Sequence, residues 1–312
     1  MLDRGRGAAL ALVTLCGLSV CVGPVAAPAG AGEDHAFVAG NVDWRERRLQ
    51  RLTEPYGYLS LIDLVMLEPE ASLRIGAADD NDVVVPRGPS RWGTLHVGAD
   101  GSEVRFEVAH PGAVRIDGNA IRSAVRRIDA DPPTQVEADG IRMHLVNPGG
   151  RLALRIRDPQ APTRRDFAGL EYFELDRSWR VEAQWVPNPP GTTIEVANVL
   201  GQLIDEPNPG YARFTRNGRT FTLQAVDSGD DLFYIFADRT SGDETYGPGR
   251  FLYSGLPADG RVTLDFNRAY NPPCAFNGYT TCPLPPPGNR LDAAVRAGER
   301  KYAADGLPAA EP

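Results

Sequence analysis

The side chains able to carry chemistry concentrate between Asp238 and Asn289. Thr240, Ser241 and Gly242 fall in a turn expected between two strands, where hydroxyls and amides can receive an anion. Arg250 presents a planar fork that suits a carboxylate or a phosphate. Asp238, Thr245, Tyr246, Asp265, Asn267, Tyr270 and Asn271 supply further donors and acceptors, and a proline-rich loop can wall one side. Used together, these residues make a binding site for a small anionic or carbohydrate ligand, or for a protein partner. A second use is hydrolysis, with Asp238 or Asp265 as base and Arg250 as an electrostatic clamp. A third is structural: Arg250 paired with Asp265 or Asp238, aspartates and threonines capping turns, and Asn271 holding the loop. Binding is preferred over catalysis because no activated nucleophile or poised histidine accompanies the cluster. Whether the chain is an enzyme stays open.

Histidine placement narrows the enzyme classes. His35, His96, His110 and His144 all precede this stretch, so a Ser/His/Asp triad within it is impossible. Ser241 reaches His96 or His144 only across a domain interface. Ser90 and His96 share one block but read as an ordinary turn serine and strand histidine. Asp227, Asp230 and Asp231 carry oxygens that suit calcium, although a solvated turn is the simpler account. No phosphate-binding glycine loop, zinc-protease helix or nucleophile elbow occurs, so neither a cofactor nor a metal site is expected.

Composition and the N-terminus set the context. The chain has 312 residues, with 33 Lys and Arg against 41 Asp and Glu, a formal charge of −8. That balance leaves no basic footprint for nucleic acid, and 42% hydrophobic residues exclude intrinsic disorder. Arg4 and Arg6 precede a stretch without charge from Gly7 to Gly32, whose apolar run ends at Gly23-Pro24. Ala29-Gly30-Ala31 then gives the small-x-small pattern of a cleavage site, so residues 1–31 read as a signal peptide and the mature chain as extracytoplasmic. Membrane attachment would come only through an uncleaved signal, or through Cys21 in the lipobox-like Leu18-Ser19-Val20-Cys21, where Val20 replaces a small residue. Cys274 and Cys282 remain after cleavage. An even count in an oxidising compartment reads as one disulfide, while a two-thiolate metal site lacks ligands, since no histidine follows His144.

The elements that must position these residues are mainly strands. Residues 32–56 hold a short helix, capped by Asp43 with Glu46 three places on, packing through Trp44 and Leu52 and ended by Pro55. Residues 57–158 alternate in short runs such as Glu103-Val-Arg-Phe-Glu-Val108 and Leu152-Ala-Leu-Arg-Ile156, separated by turn pairs such as Asp117-Gly118 and Asp139-Gly140. That spacing indicates an antiparallel sandwich. After a connector to Asp166, residues 167–302 make a second antiparallel block, sandwiched or barrel-like, with Asn217-Gly218 as its strongest hairpin turn. Pro272 to Pro287 form an extended loop holding the two cysteines. Asn289 is expected to cap a final helix from Arg290 to about Arg300, with Leu291 and Val295 facing inward. Residues 303–312 read as a flexible tail. The fold class is therefore mainly β, in two antiparallel blocks with a helix at either end.

Two resemblances accompany this reading. Arg74-Ile-Gly76, Asn81-Asp82-Val-Val-Val-Pro86, Ser90-Arg91 and Asp117-Gly-Asn119 follow the order of landmarks in forkhead-associated domains. Those are β-sandwiches that bind phosphothreonine through an arginine after the first glycine and a Ser-Arg-x-His turn. Ala77 and Gly93 stand where that arginine and histidine belong, so the resemblance supports a sandwich and argues against phosphopeptide binding. Further on, Thr240-Ser-Gly-x-x-Thr-Tyr246, Gly249-Arg-Phe-Leu252, Asp265-Phe-Asn-x-Ala-Tyr-Asn-Pro-x-Cys274, Cys282-Pro-x-Pro-Pro286, Asn289-Arg-Leu291 and Ala297-Gly-Glu299 resemble the bacterial family known as domain of unknown function 1684. The likeness extends more loosely from Trp44 to Tyr302 and implies no reaction.

Overall fold

The structure is a computed structural model that describes residues 29–101, 103–127 and 133–302. Residues 1–28, most of the segment expected as a signal peptide, and the expected tail 303–312 lie outside the described residues. What is described is mainly β, with several antiparallel sheets and few helices.

The N-terminal helix, α1 (Ala29–Leu52), is longer than the segment expected from Asp43. No proline or β-branched run interrupts residues 33–42. Asp43 lies inside the helix and pairs with Arg47 one turn on instead of capping. One face docks on the second block: Asn41 Nδ2 donates to Asp265 Oδ2 at 3.3 Å, and Arg48 Nε donates to Glu299 Oε1 at 2.9 Å. Leu52 closes a small core with Leu59 and Phe276.

The first block holds β1 (Leu61–Met66), β2 (Ser72–Gly76), β3 (Val83–Val84), β4 (Gly93–Val97), β5 (Glu103–Val108), β6 (Arg115–Ile116), β7 (Ser123–Arg127), β8 (Val136–Ala138), β9 (Ile141–Val146) and β10 (Ala153–Arg157). They form two five-stranded sheets, ordered β1-β10-β9-β8-β6 and β3-β2-β4-β5-β7. Both contribute to one core around Ile75, Trp92, Ile116, Ile141 and Met143. Period-two alternation sets which residues enter it: Val104 and Phe106 of β5 are buried, while Glu103, Arg105 and Glu107 are exposed. On β10 the same rule sends Leu154 and Ile156 inward and Arg155 and Arg157 outward. The polar landmarks between β2 and β4 fasten turns: Arg74 pairs with Asp82 at 3.0 Å, and Asn81 Nδ2 donates to Ser90 O at 2.9 Å.

The second block holds β11 (Arg180–Pro187), β12 (Thr193–Ala197), β13 (Leu203–Pro207), β14 (Gly210–Arg216), β15 (Arg219–Gln224), β16 (Val226–Asp227), β17 (Asp231–Phe236), β18 (Arg250–Gly255) and β19 (Arg261–Asp265). These divide into a four-stranded sheet β15-β14-β11-β19, a three-stranded sheet β16-β17-β18 and a two-stranded arm β12-β13, with no closed barrel. Trp179, Phe214, Tyr234, Phe236 and Phe266 fill the space between them. Asn217 and Gly218, both at positive φ, turn β14 into β15 as the hairpin signal requires.

The expected C-terminal helix does not form. Residues 290–300 run extended along the block, with Leu291 N donating to Ala237 O at 2.8 Å and Glu299 N to Ala269 O at 2.8 Å. Two causes act together. Asn289 spends its side chain on Gln224 N (2.7 Å) and Ile235 O (2.9 Å) rather than on a cap. The carbonyls of Val295, Ala297 and Glu299 turn sideways to Arg250, an orientation that helical hydrogen bonding would deny. Leu291 and Val295 do face inward.

Candidate functional site

The residues singled out in the sequence fold into internal networks. Arg250 Nη2 donates to Asp238 Oδ2 at 2.9 Å, and both side chains are 1% exposed. The partner is thus Asp238, not Asp265. Arg250 also donates to Val295 O (2.8 Å) and Ala297 O (2.5 Å). Burial pulls its guanidinium below the ordinary value, with Asp238 opposing that shift. Asp238 Oδ1 accepts from Thr240 N, Thr240 Oγ1 and Val295 N, and Thr240 meets buried Thr245 at 2.9 Å. Ser241 Oγ accepts from Asp238 N at 3.1 Å. Tyr246 lies half-buried beside them, its hydroxyl pushed up by burial.

A second network joins Asp265 and Asn267, whose N and Nδ2 both donate to Asp265 Oδ1. Asn271 belongs to a third, donating from N to Glu299 Oε2 at 2.8 Å and from Nδ2 to Arg300 O at 2.7 Å. The proline-rich loop is closed by Cys274 and Cys282, placed as a disulfide pair with Cα atoms 6.1 Å apart.

Tyr270 stands apart, because it opens onto a cleft of about 870 Å³ that none of the other nine reaches. Its lining comes from the C-terminal end of α1 and the loop after it, from β10, from β17 and β18, and from Arg268, Tyr270 and the loop 273–283. In a chain of charge −8, five arginines line it against two carboxylates, Glu54 and Asp231.

Arg155 and Arg157 are the unusual pair. They sit at alternate positions of β10, on one face, and among the described residues neither has a carboxylate partner. Each buried Nε lacks an acceptor, and burial pulls both guanidinium groups below their ordinary value. Arg157 Nη1 is held by Tyr56 O. His144 lies opposite Arg155 on β9, with its buried Nδ1 also unpartnered. Burial, then Arg157 and Arg155, pushes its imidazole down to about 4. Three nitrogen-rich side chains therefore share one patch, and among the described residues no carboxylate pairs with any of them.

Another part of the lining is aromatic. Phe233 and Tyr253 stack with centroids 4.8 Å apart, and Tyr253 lies nearly parallel to Tyr270 at 6.3 Å. Arg48 covers Tyr270 with its guanidinium carbon 4.7 Å from the ring centroid. Burial and Tyr253 hold the Tyr270 hydroxyl above the ordinary phenol range, so it stays a donor at neutral pH.

Sequence reasoning placed Arg155 in a strand and stopped there. The available signal was Arg155-Ile-Arg157: two cations two residues apart on a strand share a face, and that face was free to line a site.

Against known proteins, no curated protein matches the chain. A solution NMR structure of an uncharacterised protein from Haloarcula marismortui is similar at 36% identity, over 44% of this chain and 78% of that one, with a TM-score of 0.37. The model of a family of unknown function, DUF1684, matches residues 165–300. That segment contains the aromatic wall and Tyr270, whereas Arg48, Arg155 and Arg157 precede it. The chain belongs to the DUF1684 family of proteins of unknown function.

Proposed function

We propose that this chain is an exported binding protein whose ligand sits in the cleft, with an anionic group of the ligand held by Arg155 and Arg157. One observation carries the reading: two half-buried guanidinium groups on one face, each with an unsatisfied Nε and, among the described residues, no carboxylate partner. An unsatisfied buried donor costs about 1–3 kcal/mol, and a bound anion returns that cost as affinity. Guanidinium forks suit carboxylate and phosphate oxygens. Export is supported by Arg4, Arg6, the uncharged stretch to Gly32 and the Ala29-Gly30-Ala31 pattern. The family signature contributes Tyr270 and the loop bearing Cys282 to the wall. A hydrolase built on Asp238 or Asp265 has less support, since both carboxylates are taken up by the fold and neither lines the cleft.

The test is calorimetric titration of the oxidised protein with inorganic phosphate, at low and at physiological salt. Saturable binding that weakens with salt and is lost in Arg155→Met and Arg157→Met supports the reading. Equal binding in both variants, or none in the wild type, overturns it.

A further inference from the structure

We infer that the anion is borne by a sugar, so that the cleft takes an anionic carbohydrate such as a sugar phosphate or a uronate. This inference rests on the anion-binding reading and narrows it through three observations independent of the arginines.

The first is size. A free phosphate or carboxylate fills a small part of about 870 Å³, a volume in the range of sites that enclose drug-sized ligands, roughly 300–1,000 Å³. The second is the aromatic part of the lining, on β17, β18 and Tyr270. Tyr253 stacks on Phe233 and lies parallel to Tyr270, yet remains 43% exposed. An open, pre-stacked aromatic face is a platform for the apolar face of a ring, and its own stacking fixes it before the ligand arrives. The third is the pair of acids. Glu54 and Asp231 line the same cleft, exposed and without an ion pair among the described residues. Carboxylates only accept hydrogen bonds, so the ligand that suits them brings several donors of its own. Ring hydroxyls do this, whereas a plain aromatic acid offers none.

The three features assign parts of one molecule. The anionic group meets Arg155 and Arg157, the ring lies against Tyr253, and the hydroxyls face Glu54 and Asp231. The phenol of Tyr270, which lines the same cleft, adds a donor beside the ring.

The experiment compares glucose 6-phosphate, glucuronate, glucose, phenyl phosphate and inorganic phosphate by calorimetry on the oxidised chain, wild type beside Tyr253→Ala and Arg157→Met. Tyr253 is exposed enough for its truncation to leave the fold intact, checked by an unchanged circular dichroism spectrum. The expected result is that glucose 6-phosphate or glucuronate binds at least tenfold more tightly than inorganic phosphate. That gain should vanish in Tyr253→Ala, while phosphate binding stays within twofold. Arg157→Met should remove binding of both kinds. Which of the two anionic sugars binds more tightly identifies the anionic group. If phosphate binds and neither sugar improves on it, or phenyl phosphate matches the better sugar, the carbohydrate inference falls and the anion reading stands. If no anion binds at all, both fall.

Discussion

Arg48 and Glu299, separated by 251 residues in sequence, meet at 2.9 Å inside the protein. Arg48 also donates to Asn271 O at 3.0 Å, and the other Glu299 oxygen accepts from Asn271 N at 2.8 Å. Three parts of the chain therefore share one buried ion pair: α1, the signature segment and the final extended segment. Removing one partner strands a buried charge, at a cost of about 3–5 kcal/mol. Glu299→Ala should lower the stability measured by urea unfolding by that much, and Glu299→Gln, which keeps one of the two acceptor oxygens, by less. A cost for Glu299→Ala no greater than for exposed Glu46→Ala would contradict this account.

Arg250 is predicted to matter for folding and not for recognition. Its pairing with Asp238 and its bonds to three carbonyls replace a helix at residues 290–300. Arg250→Met should cost about 3–5 kcal/mol or prevent folding outright. Where Asp238→Asn gives folded protein, its affinity for phosphate should stay within twofold of wild type. A loss of binding without a loss of stability would return the ligand site to the signature turn.

Arg155 and Arg157 should behave in the opposite way. Replacing either with methionine removes an unsatisfied buried donor and a like-charge neighbour while keeping an apolar stem. Arg155→Met is therefore expected to raise the stability of the ligand-free protein by about 1 kcal/mol, seen as a higher melting temperature. A lower melting temperature would mean that the two guanidinium groups serve the fold.

His144 adds a pH dependence whose sign follows from its depressed pKa. Between about 4, its folded value, and about 6.5 in the unfolded chain, the unfolded state binds a proton that the folded state does not. Stability tied to this residue is complete above the unfolded value and falls as pH drops towards the folded one. Discounted for the partly solvated ring, the loss is about 1–2 kcal/mol. Melting curves from pH 7 to 4.5 should show a shallower decline for His144→Gln than for wild type. Parallel curves would remove His144 from the account.

Gly298 explains a glycine in the family signature. It sits at φ +82°, next to the Glu299 that meets Arg48, and a Cβ there would lie 2.3 Å from Ala269 O. Gly298→Ala should cost more than 2 kcal/mol by combining left-handed strain with a backbone clash (of order ~1–3 kcal/mol for the strain alone). Chemical denaturation checks it, with Gly242→Ala as the control, since a Cβ at Gly242 meets nothing within 4 Å despite its positive φ.

The fold was readable from the sequence where local rules govern it. Alternation in Glu103-Val-Arg-Phe-Glu-Val108 placed the core side chains of β5, and Asn217-Gly218 marked the hairpin between β14 and β15. The last segment was misread because apolar Leu291 and Val295 fit a helix and an extended strand alike. What decides between them is Arg250, 40 or more residues earlier, whose need for carbonyl acceptors no local pattern records. Asp238 and Arg250 were recognisable as partners from their chemistry. The arginines of the cleft were not, since Arg155 acquires its role only when the second block covers the outward face of β10. Tyr270 links the two stages: it belonged to the signature and it lines the cleft.

The contact between Arg48 and Glu299 also dictates an order of events in time. At a synthesis rate of about 5–20 residues per second, the helix that carries Arg48 waits on the order of 10–50 s for its acidic partner to be made. The sandwich ending at Arg157 is complete well before that, with its arginine face bare. The cleft, whose lining runs from Trp44 to Pro283, is consequently completed late in synthesis.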